Sequence, residues 1–221
     1  MRKFLAILAI PLPQFMKRWV YRRLLGWSVA PTARVGLSFV YAKHAELGEH
    51  TNIGHFNVIR NLELLELGAH AFIGNRNYIA AEPFNSPKKL CHAQGRKPGL
   101  ILGEHAAITG THFIDCNDQV SIGDFSLLAG KGTFIYTHGI DIRTNEQTVG
   151  KVRIGKYCMV GARCMIVKGA ELPDCSVLAA QSMLQKKMTE PYGLYSGNPA
   201  LMVKRFDENF GFFTRTQGFV D

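Results

Sequence analysis

The sequence predicts an all-β chain, wound as a three-sided prism of short parallel strands, and three observations carry that expectation. An aliphatic residue returns at every sixth position, most cleanly at Ile154, Val160, Ile166, Leu172, Leu178 and Leu184. The next residue is often glycine, as at Gly36, Gly48, Gly54, Gly68, Gly74, Gly103, Gly123, Gly155 and Gly161. Four places after the aliphatic the residue is usually small: Thr51, Ala71, Ala106, Ser126, Ala170, Ser176 and Ser182. A step of six matches neither the helical period of 3.6 nor the strand period of 2. It describes one short strand plus one corner, so three hexads close a coil and each aliphatic stacks inside on its counterpart one coil away.

Earlier runs keep the step: Val29, Val35, Tyr41; Leu47, Ile53, Ile59; Leu67, Ile73, Ile79. After a gap come Leu102, Ile108, Ile114, Val120, and, with a slip of two residues, Ile122, Leu128, Phe134. The prism is therefore expected over 29–205. Two stretches leave the repeat, 80–101 and 139–153, and such excursions from a regular scaffold are where function concentrates. Residues 206–221 read as an aromatic, irregular tail that packs on the prism or on a neighbour.

Residues 1–28 precede the repeat. Within Gln14–Leu25, Phe15, Met16, Trp19, Val20 and Leu24 share one helical face, and Lys17, Arg18, Tyr21 and Arg22 another. The expectation is a helix that covers the open end of the prism with its apolar face, its basic face remaining outward. A second reading lays this helix on an anionic membrane. The net charge of +9 is concentrated between Met1 and Ala45: Arg2, Lys3, Lys17, Arg18, Arg22, Arg23, Arg34 and Lys43 precede Glu46, the first acidic residue. No run of about 18 uncharged apolar residues is present, so no spanning helix is expected. The short run Phe4–Ile10 is broken by Pro11 and lacks a following cleavage pattern, which disfavours a secretory leader. Cys91, Cys116, Cys158, Cys164 and Cys175 have no CxxC spacing and read as free thiols, consistent with a cytoplasmic chain at most peripheral to the inner membrane face.

Candidate chemistry centres on His138, which ends Phe134-Ile135-Tyr136-Thr137-His138 where an excursion begins. An imidazole is the side chain best suited to act as a neutral base at physiological pH. Asp141 is near enough in sequence to orient it or to contact the acceptor, and capping the loop is equally open. His112 and Asp115 form a second pair, for which acceptor binding and a hydrogen-bonded corner are both open.

These segments resemble the hexapeptide acyltransferase family, which includes sugar, serine, maltose and antibiotic O-acetyltransferases. The resemblance covers Val29 to about Arg205. It is sharpest at Tyr136-Thr137-His138-Gly139-Ile140-Asp141, at Ile154-Gly155-Lys156-Tyr157-Cys158-Met159-Val160-Gly161 and at Ser196-Gly197-Asn198-Pro199-Ala200. It implies a left-handed parallel β-helix, a homotrimer with active sites between subunits, and acetyl-CoA as co-substrate. It further implies that His138 is the general base, with Asp141 assisting and His112, Asp115 and Tyr136 near the acceptor. Gly161, Ala179, Lys186, Lys187, Asn198, Lys204 and Arg205 are the expected CoA contacts. The acceptor expected first is a sugar hydroxyl in a surface-polysaccharide or lipid-linked precursor. A small soluble acceptor (a free sugar or an antibiotic) and a non-catalytic scaffold are the alternatives. No zinc site of three convergent histidines, Gly-rich phosphate loop or nucleic-acid module is expected.

Overall fold

The computed structural model describes residues 1–83 and 95–218. Half of the first expected excursion, with Cys91, lies outside the described residues. The chain is a left-handed parallel β-helix. One face stacks Arg34–Val35, Asn52–Ile53, Phe72–Ile73, Ala107–Ile108, Leu127–Leu128, Met159–Val160 and Val177–Leu178. The long strands Phe39–Leu47 and Val58–Leu67 run through a corner and so join the other two faces into one 12-stranded sheet. A coil is not of fixed length. Arg34 pairs with Asn52, 18 residues on, but Asn52 pairs with Phe72, 20 residues on.

The interior is the expected aliphatic stack. On one face Ile79, Ile114, Ile135, Ile166 and Leu184 lie in register, each fully buried. Two residues of the expected columns are displaced. Val40 is buried in the place expected for Tyr41, and Ile135 in the place expected for Phe134, which is exposed. The step from Val35 to Val40 is five residues and that from Leu128 to Ile135 is seven, so a corner one residue short or one residue long shifts the phase, and in a strand a one-residue shift exchanges inside for outside.

Glycine after the aliphatic serves close approach between coils. A Cβ on Gly74 would lie 2.0 Å from the Thr109 carbonyl oxygen, and one on Gly36 would lie 2.4 Å from that of Gly54. The left-handed backbone that turns the corner falls instead at the third place after the aliphatic, on Gly169 but mostly on residues that are not glycine. His50, His70, His105, Phe125, Tyr157 and Cys175 have φ between 53° and 58°. Such a conformation costs roughly 1–2 kcal/mol in an L-residue. Here each N–H after the first coil is stitched to the preceding coil, as from His70 to Glu49 O and from Tyr157 to Asp124 O. The rings also stack on one another, His50 on His70 at 4.9 Å, His70 on His105 at 4.6 Å and Phe125 on Tyr157 at 4.9 Å.

At the N-terminal end a helix at Arg2–Leu8 is followed by one at Gln14–Trp19, which widens into a π-helical turn at Val20–Leu24. The second helix covers the open end, but with the opposite face from the one expected. Lys17 is only 2% exposed, and its Nζ donates to Val35 O at 2.9 Å and Gly36 O at 2.8 Å. Gln14 bonds both the N–H and the carbonyl of Val35, and Arg22 donates to Val29 O. Phe15, Met16, Trp19 and Leu24 are left exposed. The reason is the nature of the end being covered. The first coil has strand carbonyls with no preceding coil to bond, and a buried carbonyl without a partner costs more than an exposed ring.

At the other end, Gly193–Gly197 joins the stack beside Val177–Leu178, and Ala200–Arg205 then returns antiparallel to it. The tail turns back onto the prism. Phe213 is buried, and the Arg215 guanidinium lies 5.6 Å from the Tyr157 ring centre. The second excursion is an antiparallel hairpin, His138–Asp141 against Glu146–Val149.

Candidate active site

His112 and His138 occupy different surroundings, and the difference follows from the corners that hold them. The corner after the Arg34–Val35 face points a column of polar side chains inward. Asn57 N–H donates to Ser38 Oγ at 2.9 Å, Asn77 N–H to Asn57 Oδ1 at 2.9 Å, and His112 N–H to Asn77 Oδ1 at 2.9 Å. Thr133 N–H donates to His112 Nδ1 at 3.2 Å, and Cys164 N–H to Thr133 Oγ1 at 3.2 Å. His112 is thus a rung of a coil-to-coil ladder. Accepting at Nδ1 fixes the proton on Nε2, which lies 3.0 Å from Thr109 Oγ1. The ring is buried, and burial pushes its pKa down to about 4. Of the two readings open for His112, the geometry matches the hydrogen-bonded corner.

Asp115 follows Ile114, an inner residue, and Thr137-His138 begin two residues after Ile135 in the next coil. Stacking the coils therefore brings a carboxylate and an imidazole together across the sheet. His138 Nδ1 lies 2.6 Å from Asp115 Oδ2. Asp115 is itself only 5% exposed. Its Oδ2 also accepts from Thr137 N–H at 2.9 Å and Thr137 Oγ1 at 3.1 Å, and its Oδ1 from Asn117 N–H at 3.2 Å and Asn117 Nδ2. Thr137 Oγ1 in turn accepts from Asp118 N–H at 2.9 Å. The carboxylate is fully saturated and fixed, with no lone pair left for a ligand.

A proton on His138 Nδ1, shared with Asp115, leaves Nε2 with its lone pair. Asn117 Nδ2, 3.3 Å from Nδ1, then has no lone pair to bond and serves as a neighbour of the ring. The His138 side chain is 36% exposed, at the base of the hairpin. Its pKa is raised, first by the hydrogen bond to Asp115, against a burial effect that lowers it, with a further raising contribution from Glu82. Tyr136 holds its ring 6.5 Å from that of His138, edge to face.

Asp141, the expected partner of His138, lies out along the hairpin and bonds to Arg143, its N–H at 2.9 Å and its guanidinium at 3.2 Å. That pairing holds its pKa below the usual carboxylate range. The carboxylate that contacts the His138 ring is Asp115, for which the resemblance implied a place near the acceptor. The signal that could have found it was available. It required aligning the coils on Ile114 and Ile135, one place off the phase set by Phe134.

Among the expected CoA contacts, Gly161 and Ala179 lie at one corner, where a Cβ on Gly161 would sit 2.6 Å from Ala180 N. Close packing of coils thus accounts for that glycine. Lys186, Asn198, Lys204 and Arg205 are exposed near the C-terminal end of the stack. Lys187 pairs with Glu171 at 2.9 Å and Arg205 with Glu208 at 3.4 Å. Among the described residues no group of three His, Cys, Asp or Glu side chains is placed to hold a metal ion. The stacked rings of His50, His70 and His105 lie parallel and do not converge on a point.

No family model matches the chain. It is 27% identical to a chloramphenicol acetyltransferase of Escherichia coli over 169 residues, 60% of this chain and 79% of that protein. It is 24% identical to a chloramphenicol acetyltransferase of Klebsiella aerogenes over 160 residues, 55% of this chain and 76% of that one. Among solved structures, a maltose O-acetyltransferase from Clostridium difficile 630 superposes with a TM-score of 0.50 at 19% identity, covering 93% of this chain and 84% of that one. The last likeness is one of fold.

Proposed function

We propose that this chain, a hexapeptide-repeat protein whose relatives are acetyltransferases, moves an acetyl group from acetyl-CoA to a hydroxyl, with His138 as general base. The observation that supports the reading most is the His138–Asp115 contact. A buried, saturated carboxylate fixes one tautomer and leaves the Nε2 of a partly exposed ring to take a proton. The acceptor O–H proton passes to Nε2 as its oxygen bonds to the thioester carbonyl carbon. The C–S bond then breaks, and the CoA sulfur leaves with the proton returned from Nε2. Asp115 stabilises the imidazolium between these events, as a positioning residue that does not itself exchange the proton. No covalent intermediate on the protein is needed, and the three described buried thiols, Cys116, Cys158 and Cys164, take no part.

The acceptor we infer is a sugar hydroxyl, in keeping with the maltose O-acetyltransferase fold likeness. The chloramphenicol acetyltransferase relatives favour the alternative of a small soluble acceptor. We further infer a homotrimer in which the acceptor lies between subunits; sedimentation as a monomer under assay conditions contradicts this.

The test is release of CoA thiol from acetyl-CoA across a panel of sugars, glycans and chloramphenicol. His138→Ala is expected to lower kcat/KM by about 10²–10⁴ with an unchanged melting curve, the usual worth of general-base help. Undiminished turnover in that variant, or no acceptor-dependent thiol release by the parent chain, refutes the assignment.

A further inference from the structure

The N-terminal cap shows an apolar face to solvent for which the prism has no use. Gln14, Lys17 and Arg22 are engaged with first-coil backbone and Ala6, Val20 and Tyr21 are buried, while a set of large apolar side chains on both helices points away. Phe15 is 68% exposed, Trp19 57% and Phe4 62%, and Ile7, Leu8, Met16 and Leu24 are each more than two-fifths exposed. Soluble chains scatter such residues singly, and a cluster of them marks a surface that meets something. The cations here remain unbalanced, since no Asp or Glu occurs before Glu46. Phe15 and Trp19 share the wall of a 470 Å³ recess with Arg18, Arg22 and Arg23. Guanidinium groups set among aromatic rings, beside an apolar ridge, match the boundary of a bilayer: phosphates for the arginines, acyl chains for the rings.

We propose that residues 1–25 form a docking surface for an anionic lipid bilayer, with Phe4, Phe15 and Trp19 inserting at the headgroup boundary and Arg18 and Arg23 meeting phosphates. This inference stands apart from acetyl transfer, since it needs neither His138 nor CoA. Charge complementarity decides the occupant. A second copy of this chain would set the same cations against each other, whereas a lipid surface neutralises them. No helix is long and apolar enough to cross a membrane, so attachment is to one leaflet.

The test uses the full chain and its own fluorescence. The sequence has two tryptophans, and Trp27 is buried against Tyr21 with ring centres 4.8 Å apart. Trp19 therefore supplies the environment-sensitive emission. Vesicles of phosphatidylglycerol with phosphatidylcholine are expected to blue-shift the emission, shield it from an aqueous quencher and float the protein. Pure phosphatidylcholine should bind at least about tenfold less. Phe15→Ser with Trp19→Ser should lower flotation at least about tenfold, and Arg18→Glu with Arg23→Glu should lower it and weaken its salt dependence. Phe15, Trp19 and Arg23 are exposed and Arg18 is partly so, and melting curves verify that the variants fold. Equal flotation by the parent and the Phe15/Trp19 variant overturns the proposal. So does a blue shift that follows protein concentration without lipid, which would assign the face to a second copy.

Discussion

His138 Nδ1 and Asp115 Oδ2 meet at 2.6 Å although 23 residues separate them, because one coil lays its corner directly on the next. A carboxylate so fixed raises the basicity of the ring it holds, and catalysis by a neutral imidazole then shows a limit on the acid side. The pKa of His138 is raised above 6.5, so kcat/KM should fall as pH drops through a value above 6.5. Asp115→Asn removes the first cause of that rise. It should move the acid limb downward and lower kcat by about 10–100-fold, while KM for acetyl-CoA changes little. Asp141→Asn should leave both the rate and the limb near their parent values, since Asp141 bonds Arg143. An Asp141→Asn profile that shifts while the Asp115→Asn profile does not would reverse the assignment.

His112 makes a different pH prediction. Its folded pKa is depressed to about 4, while the unfolded chain takes up the proton near 6.5. The stability contributed by the neutral ring is complete above pH 6.5 and is lost as pH falls from there toward 4. His112→Asn keeps an acceptor for Thr133 N–H and should flatten this part of the stability curve. His112→Leu strands that N–H and should cost about 1–3 kcal/mol at neutral pH, read by urea melts. Equal stability of the two variants would remove the ladder from the account.

Glycine at the first place after the aliphatic should tolerate no methyl group. Gly74→Ala drives a Cβ into the Thr109 carbonyl and should destabilise by about 1–3 kcal/mol, as overpacking does. Gly211→Ala, with nothing within 4 Å, should be neutral. Thermal melts of the pair separate close packing from a general glycine effect.

The buried cysteines should be silent. Burial pushes the Cys158 thiol up to about 12 and raises those of Cys116 and Cys164 as well. A thiol reagent at pH 8 should leave these three unmodified in the folded protein and label them in urea. Rapid labelling of Cys158 in the native chain would contradict its burial. The same silence lets released CoA be read by its thiol.

Much of the prism was written in single residues: Ile53, Ile73, Ile108, Leu128, Val160 and Leu178 stand inside as the hexad requires. The period failed at Tyr41 and Phe134, where one corner is a residue short and the other a residue long, and the inner place moves to Val40 and Ile135. Asp115 was missed as the partner of His138 for the same reason, since a contact between coils appears only after the register is known. The cap was misjudged on energetic grounds. Helical periodicity identifies an apolar face but does not weigh it against the unbonded carbonyls of Val29, Val35 and Gly36, which claimed Arg22, Gln14 and Lys17. At His138 the sequence departed from the repeat, and there the chain does leave the prism for the hairpin.

Both ends of the stack are stoppered, by Lys17 and its neighbours on one side and by the returning strand Ala200–Arg205 on the other. Open-ended β-stacks invite head-to-tail growth into fibres, each molecule templating the next. With carbonyls of Val29, Val35 and Gly36 occupied and Ala200–Arg205 reversed, the parallel winding is interrupted at both ends of this sheet, so a second molecule cannot simply continue it in the same sense.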